Sequence, residues 1–121
     1  MQRSILYLCF ILFMNLSCAK QNQSQLSVLL SQPQTYLSEN NQKFTVRYGE
    51  LADHSLSFIK IILPNGDEKT LPSAVSASGA RFTDYRELEW WAHGQTVCLS
   101  KRDATTQQWS RCYWQLVPFN K

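Results

Sequence analysis

The chain has 121 residues, with 44% hydrophobic and 17% charged side chains and a formal charge of +3. That is enough apolar material for one small core, not a disordered composition, and too short for a Rossmann domain, a TIM barrel or a kinase. The four glycines form no phosphate-cradling loop, and the positive charge is too mild and scattered to predict a nucleic-acid partner.

The first segment reads as an export leader. Arg3 precedes an apolar run from Ile5 to Met14. Such a run is too short to span a bilayer but fits the hydrophobic stretch of a signal peptide. Two cuts are open. Leu16-Ser17 before Cys18 is similar to a bacterial lipobox, with Asn15 where an aliphatic residue is usual. Cleavage after Ala19 is the rival and would give a soluble periplasmic protein. The lipoprotein reading is preferred because Cys18 directly follows the apolar run and a Gln/Asn/Ser-rich stretch, Lys20 to Ser27, follows it. The expected organisation is a lipoprotein-type signal peptide over residues 1–17, a lipidated Cys18 with a polar tether over 18–33, and a β domain over 34–121. Ala19 in place of an inner-membrane retention Asp suggests the outer membrane, periplasmic face.

Cys9 leaves with the leader and Cys18 is the lipid site, so Cys98 and Cys112 remain in an exported, oxidising setting. A Cys98–Cys112 disulfide is expected, contributing about 3 kcal/mol by closing its loop. Without a C-x-x-C pair, no redox role is expected.

The body reads as strands. Phe44 to Tyr48 alternates apolar and polar at period two. Leu56 to Leu63 is a second strand, ended by the turn Pro64-Asn65-Gly66-Asp67. Glu68 to Leu71 returns, with Pro72 as its expected end. Arg81-Phe82 restarts a strand after the small-residue stretch 73–80. Glu87 to Ala92, Gln95 to Lys101 and Gln108 to Val117 follow, separated by turns at His93-Gly94 and 103–107. Gln25 to Leu30 reads equally as a short helix or a first strand. The fold class is therefore all-β, a small antiparallel β-barrel of about six to eight strands, or a sandwich. The expected core is Phe44, Val46, Tyr48, Leu56, Phe58, Ile61, Leu63, Trp90, Leu99 and Trp114.

Ser78, Asp84 and His93 are the residue types of a hydrolytic triad, but no nucleophile-elbow pattern surrounds them and such triples arise by chance. His54 and His93 are too few for a closed metal site, and neither a metal nor any other cofactor is expected. The chain is read as a non-enzyme. Trp90-Trp91 places adjacent indoles on opposite sheet faces, one in the core and the other exposed or covered by a loop or partner. The run Ser76-Ala77-Ser78-Gly79-Ala80-Arg81-Phe82 combines small residues, two hydroxyls and a guanidinium. Composition alone makes it a plain tight turn; the sharper reading is a narrow finger suited to a carboxylate-lined groove.

These residues resemble the bacterial membrane-bound inhibitors of c-type lysozyme. Ser78-Gly79-Ala80-Arg81-Phe82 is similar to the family's Ser-Gly-x-x-Tyr motif, with Phe82 for Tyr. Leu88 to Gly94 is similar to its Tyr-x-x-x-Thr-Lys-Gly motif, keeping the Trp90-Trp91 pair and Gly94, with Leu88, Ala92 and His93 for Tyr, Thr and Lys. Tyr36-Leu37-Ser38 is similar to a Tyr-x-Cys element with Ser38 for Cys. Cys112 then matches the family's late Cys, and Cys98 stands in for its lost partner.

The resemblance implies a lipid-anchored antiparallel barrel whose partner is c-type lysozyme. It implies an inhibitory loop containing Ser76, Ser78, Gly79, Arg81 and Phe82, beside a second motif of Trp90, Trp91, His93 and Gly94. Ser78 would meet one catalytic carboxyl group and the residue at the Lys position, His93, the other. A protonated imidazole is favoured beside a carboxylate, and Arg81 is a second candidate cation. A monomer or weak dimer is expected. The alternative is a non-inhibitory envelope barrel binding a glycan or small ligand in an aromatic-lined interior.

Overall fold

A computed structural model describes residues 25–120. The signal peptide, Cys18 and the tether as far as residue 24 lie outside the described residues. Nine antiparallel strands follow in order: β1 (Val28–Leu30), β2 (Gln34–Ser38), β3 (Lys43–Leu51), β4 (Ser57–Ile62), β5 (Glu68–Ala74), β6 (Ala80–Thr83), β7 (Leu88–His93), β8 (Thr96–Arg102) and β9 (Trp109–Pro118). Among the described residues there is no helix. Each of β3 to β9 is hydrogen-bonded to the next, β9 returns to β2, and β2 pairs with β3. Eight strands thus close a barrel, which leaves no free edge along most of its wall.

The strand outside the closed ring, β1, settles the open choice at residues 25–30. β1 and β2 lie end to end along the same edge of β3: Val28 pairs with Leu51, and Gln34 with Val46. The three residues between them hold Pro33, and Ser31 bridges the gap, its N–H donating to the Tyr48 carbonyl and its Oγ accepting from the Tyr48 N–H.

Alternation along the strands puts Tyr36, Phe44, Val46, Ile59, Ile61, Leu71, Phe82, Leu88, Trp90, Val97, Leu99 and Leu116 inside. Tyr36 packs edge-on against Trp90, with ring centroids 5.0 Å apart. Phe44 meets Trp114 similarly at one end, where the Trp114 indole N–H donates to Gln42.

Several expectations change. Leu56 is not core: it is 41% exposed, because it stands at the loop end of β4 on the outward parity. Phe58 is buried but outside the barrel, over Gly49 and beside Leu30; a Cβ on Gly49 would lie 2.6 Å from the Phe58 ring. Tyr48, Leu63 and Trp114 pack against the core only partly buried. Pro72 does not end its strand. It pairs with Phe58 at the last step of the β4–β5 ladder, and the β5–β6 ladder starts at Ser73, so its missing N–H falls at the junction between ladders.

Cys98 and Cys112 are bridged, with Cα atoms 4.7 Å apart. They are not facing partners in a regular hairpin: Cys98 pairs with Gln115, and the β8–β9 register shifts between Leu99 and Lys101. Cys112 adopts φ 49° within that bulge, and its N–H donates to Ser100 Oγ. The bulge brings the sulfur atoms together.

Candidate functional site

Strand direction sorts the loops between the two ends of the barrel. The loops after β3, β5 and β7 share one end; those after β2, β4, β6 and β8 share the other. The β5–β6 loop, residues 75–79, and the β7–β8 turn, Gly94-Gln95, therefore rise side by side, and they carry the two candidate motifs.

The β5–β6 loop is outward and open. Val75 is 92% exposed, and residues 77–80 are exposed. Its internal order comes from the Ser76 hydroxyl, which donates to the Gly79 carbonyl at 3.0 Å, and from Gly79 at φ 69°. Among the described residues the Ser78 hydroxyl has no hydrogen-bond partner, while the Ser78 carbonyl accepts from the Trp91 indole N–H at 2.9 Å. Gly79 is pressed against the end of β7. A Cβ there would collide with the Ala92 carbonyl oxygen and stand 3.2 Å from His93 Nδ1.

His93 is the last residue of β7 and is exposed, with its ring centroid 5.0 Å from that of Trp91. Gly94 takes φ 59° in the two-residue turn to Thr96. The structure thus gathers Ser78, Gly79, Trp91, His93 and Gly94 at one rim. Trp90 faces the core, fully buried, and supports the site only through β7. Of the two indoles, Trp91 is the covered outer one, and a loop of the same chain covers it.

Two members of the proposed loop act differently from expectation. Phe82 is a core residue, 8% exposed and edge-on to Tyr48. It anchors β6 and is unavailable to a partner, because its parity on the strand opposite Arg81 points it inward. Arg81 points outward along the row Ala74–Arg81–Trp91–Cys98, but its charge is engaged. Nε and Nη2 both donate to Glu89 Oε2, at 3.0 and 2.6 Å, and Nη1 donates to the Val75 carbonyl at 3.3 Å. The Glu89 carboxylate raises the guanidinium pKa further above its already high value. Arg81 is therefore a brace between the loop and β7, not a free cation.

The triad reading fails on topology. Asp84 lies in the β6–β7 loop at the far end, where its Oδ1 accepts from the backbone N–H groups of Arg86, Glu87 and Leu88. Partial burial pulls that carboxyl up, but the three donors outweigh it and its pKa falls below the ordinary value. His54, the other histidine, hydrogen-bonds Glu50 in the β3–β4 loop region.

Sequence reasoning missed one feature of the site, a groove on the outer wall below the loop. Trp91, Arg81 and Glu89 line it with Ser76, Trp109 and Arg111. Trp109 and Arg111 come from β9, and no local pattern in the chain signals their approach to residues 75–77.

Comparison with known proteins places this arrangement. A family model described as membrane-bound lysozyme-inhibitor of c-type lysozyme matches residues 36–108. A membrane-bound lysozyme inhibitor of C-type lysozyme from Pseudomonas aeruginosa is 36% identical over 66 residues, 53% of this chain and 48% of that protein. The chain thus spans about half the length of the curated relative it matches. The fold is similar to that in the crystal structure of Pseudomonas aeruginosa MliC in complex with hen egg white lysozyme. The TM-score is 0.57 at 19% identity, over 78% of this chain and 86% of that one. With both motif regions inside a match that covers more than half of its length, this chain belongs to the family of membrane-bound lysozyme-inhibitors of c-type lysozyme.

Proposed function

We propose that this protein inhibits c-type lysozyme by inserting the 75–79 loop into the enzyme's active-site cleft. Family membership supports an inhibitor rather than an enzyme. The observation that carries the mechanism is the rim itself: an exposed Ser78 hydroxyl, without a hydrogen-bond partner among the described residues, beside an exposed His93, on a loop fixed by the Trp91–Ser78 hydrogen bond.

A lysozyme of this type cleaves with two carboxyl groups, one protonated and one ionised. The Ser78 hydroxyl satisfies the first as hydrogen-bond partner. His93 donates a ring N–H to the second. Because the loop is already braced by Arg81, Trp91 and Gly79, little ordering cost falls on binding. The relatives' names and the lysozyme complex of the Pseudomonas protein support the same partner.

Attachment is read from the family's name and the leader together. Lipid chains on Cys18 hold the barrel to the outer membrane on its periplasmic face, and a mature-chain mass carrying diacylglyceryl and acyl groups checks it. The alternative of a ligand held inside the barrel loses its basis, because side chains such as Phe44, Ile59, Trp90 and Leu99 fill the interior with no exposure.

The test is lysis of peptidoglycan by c-type lysozyme with the purified mature chain present. Inhibition at near-stoichiometric concentration is expected. Ser78→Ala and His93→Ala should each cost about 1–3 kcal/mol of affinity, roughly five- to 150-fold. No inhibition at large excess overturns the function; full potency in both variants overturns the site.

A further inference from the structure

The β3–β4 wall of the barrel, opposite the β7–β8 hairpin, is apolar on its outside at one end. Val46 and Tyr48 of β3 and Ile59 and Ile61 of β4 point to the core, so the alternate residues face out. At the loop end they form two cross-strand rows. Val28 pairs with Leu51, whose N–H donates to Leu56; Leu30 pairs with Gly49, and Gly49 with Phe58. Leu26, Val28, Leu30 and Leu56 are between 40% and 52% exposed. No other described strand covers them. In the next outward row Arg47 pairs with Lys60, and because Glu68 neutralises Lys60, Arg47 carries the row's charge. The Arg47 Nε donates to the Ser31 carbonyl, and Lys60 pairs with Glu68.

We propose that this face, Leu26, Val28, Leu30, Leu56 and Arg47, docks on the surface of a phospholipid bilayer. An apolar patch with Arg47 at its border matches a bilayer interface, in which acyl-chain boundary and anionic headgroups lie side by side. Position supports the same occupant. Val28 follows Cys18 by about ten residues, and a polar tether of that length spans on the order of 17 Å. The argument from position rests on the membrane attachment of the proposed function; the apolar patch and Arg47 stand without it.

Docking fixes the barrel's orientation. In the closed ring, the β3–β4 wall and the β7–β8 wall are four strands apart in either direction. With β3–β4 on the bilayer, Trp91 and His93 face away from it, and the 75–79 loop is accessible to an approaching lysozyme.

The exported chain carrying Cys18→Ser, which has no acylation site, should co-sediment with vesicles of equal parts phosphatidylcholine and phosphatidylglycerol. Leu56→Glu and Val28→Glu, both at exposed positions, should lower the bound fraction at least about tenfold. Arg47→Gln should weaken binding to these vesicles and not to pure phosphatidylcholine. Lysozyme inhibition in solution should be unchanged in all three, and circular dichroism should show an intact fold. Absence of vesicle binding by the Cys18→Ser chain, or equal binding by the glutamate variants, overturns the proposal. A dimer in sedimentation velocity that Val28→Glu dissolves, without vesicle binding, overturns it in favour of a second copy as occupant. Loss of inhibition with vesicle binding retained would instead count against the lysozyme reading alone.

Discussion

The Trp91 indole N–H donates to the Ser78 carbonyl oxygen at 2.9 Å, across thirteen positions of sequence. This bond ties the exposed loop to a strand of the closed barrel and sets where the Ser78 hydroxyl stands. Trp91→Phe removes the donor and keeps most of the ring. The expected result is a loss of about 1 kcal/mol in lysozyme affinity, roughly fivefold, with little change in melting temperature. Titration of lysozyme activity checks it, and an unchanged inhibition constant would sever the link between brace and function.

Gly79 is constrained twice, by φ 69° and by the Ala92 carbonyl oxygen in the place a Cβ would take. Gly79→Ala must shift the loop away from β7. Potency should fall at least about tenfold, with a stability loss of about 1–3 kcal/mol. Gly66, also at positive φ but with open space around it, is the control: Gly66→Ala should cost stability without touching inhibition. Chemical denaturation and the lysis assay separate the two effects.

Asp84 offers a pH test away from the site. Its folded pKa is lowered, because three backbone donors outweigh the upward pull of burial. A group depressed in the folded state contributes stability above its unfolded pKa, and that contribution is lost as pH falls through the folded value. The stability gap between the unsubstituted protein and Asp84→Asn should therefore be constant above about pH 5 and shrink below about pH 4. Urea denaturation across that range measures it. A gap that widens in acid would contradict the geometry of the turn.

The Cys98–Cys112 bridge closes a fourteen-residue separation at the β8–β9 bulge. Replacing both cysteines by alanine should lower stability by about 2–4 kcal/mol. The loop and His93 are braced from β6 and β7, so the variant, where still folded, should inhibit lysozyme as the parent does. Thermal unfolding and the lysis assay under the same conditions decide it.

The sequence by itself determined the β class, most strand positions, the turns at Asn65-Gly66 and His93-Gly94, the cysteine pair and the two motif regions. Each is written locally, in period-two alternation, turn residues and short spacings. Inward parity was legible for Phe44, Val46, Ile61, Trp90 and Leu99, and tertiary structure decided the rest. Ile59, Leu71, Val97 and Leu116 proved to be core and Leu56 surface, since facing is set by register with strands distant in the chain. Closure of β2 onto β9 and the placement of β1 beside β3 were equally beyond local reading. So was the role of Arg81, which looked like a free cation until Glu89, eight positions away, came under it. Local pattern writes secondary structure; which charges are spent and which face is left bare depend on contacts that exist only once the barrel has closed.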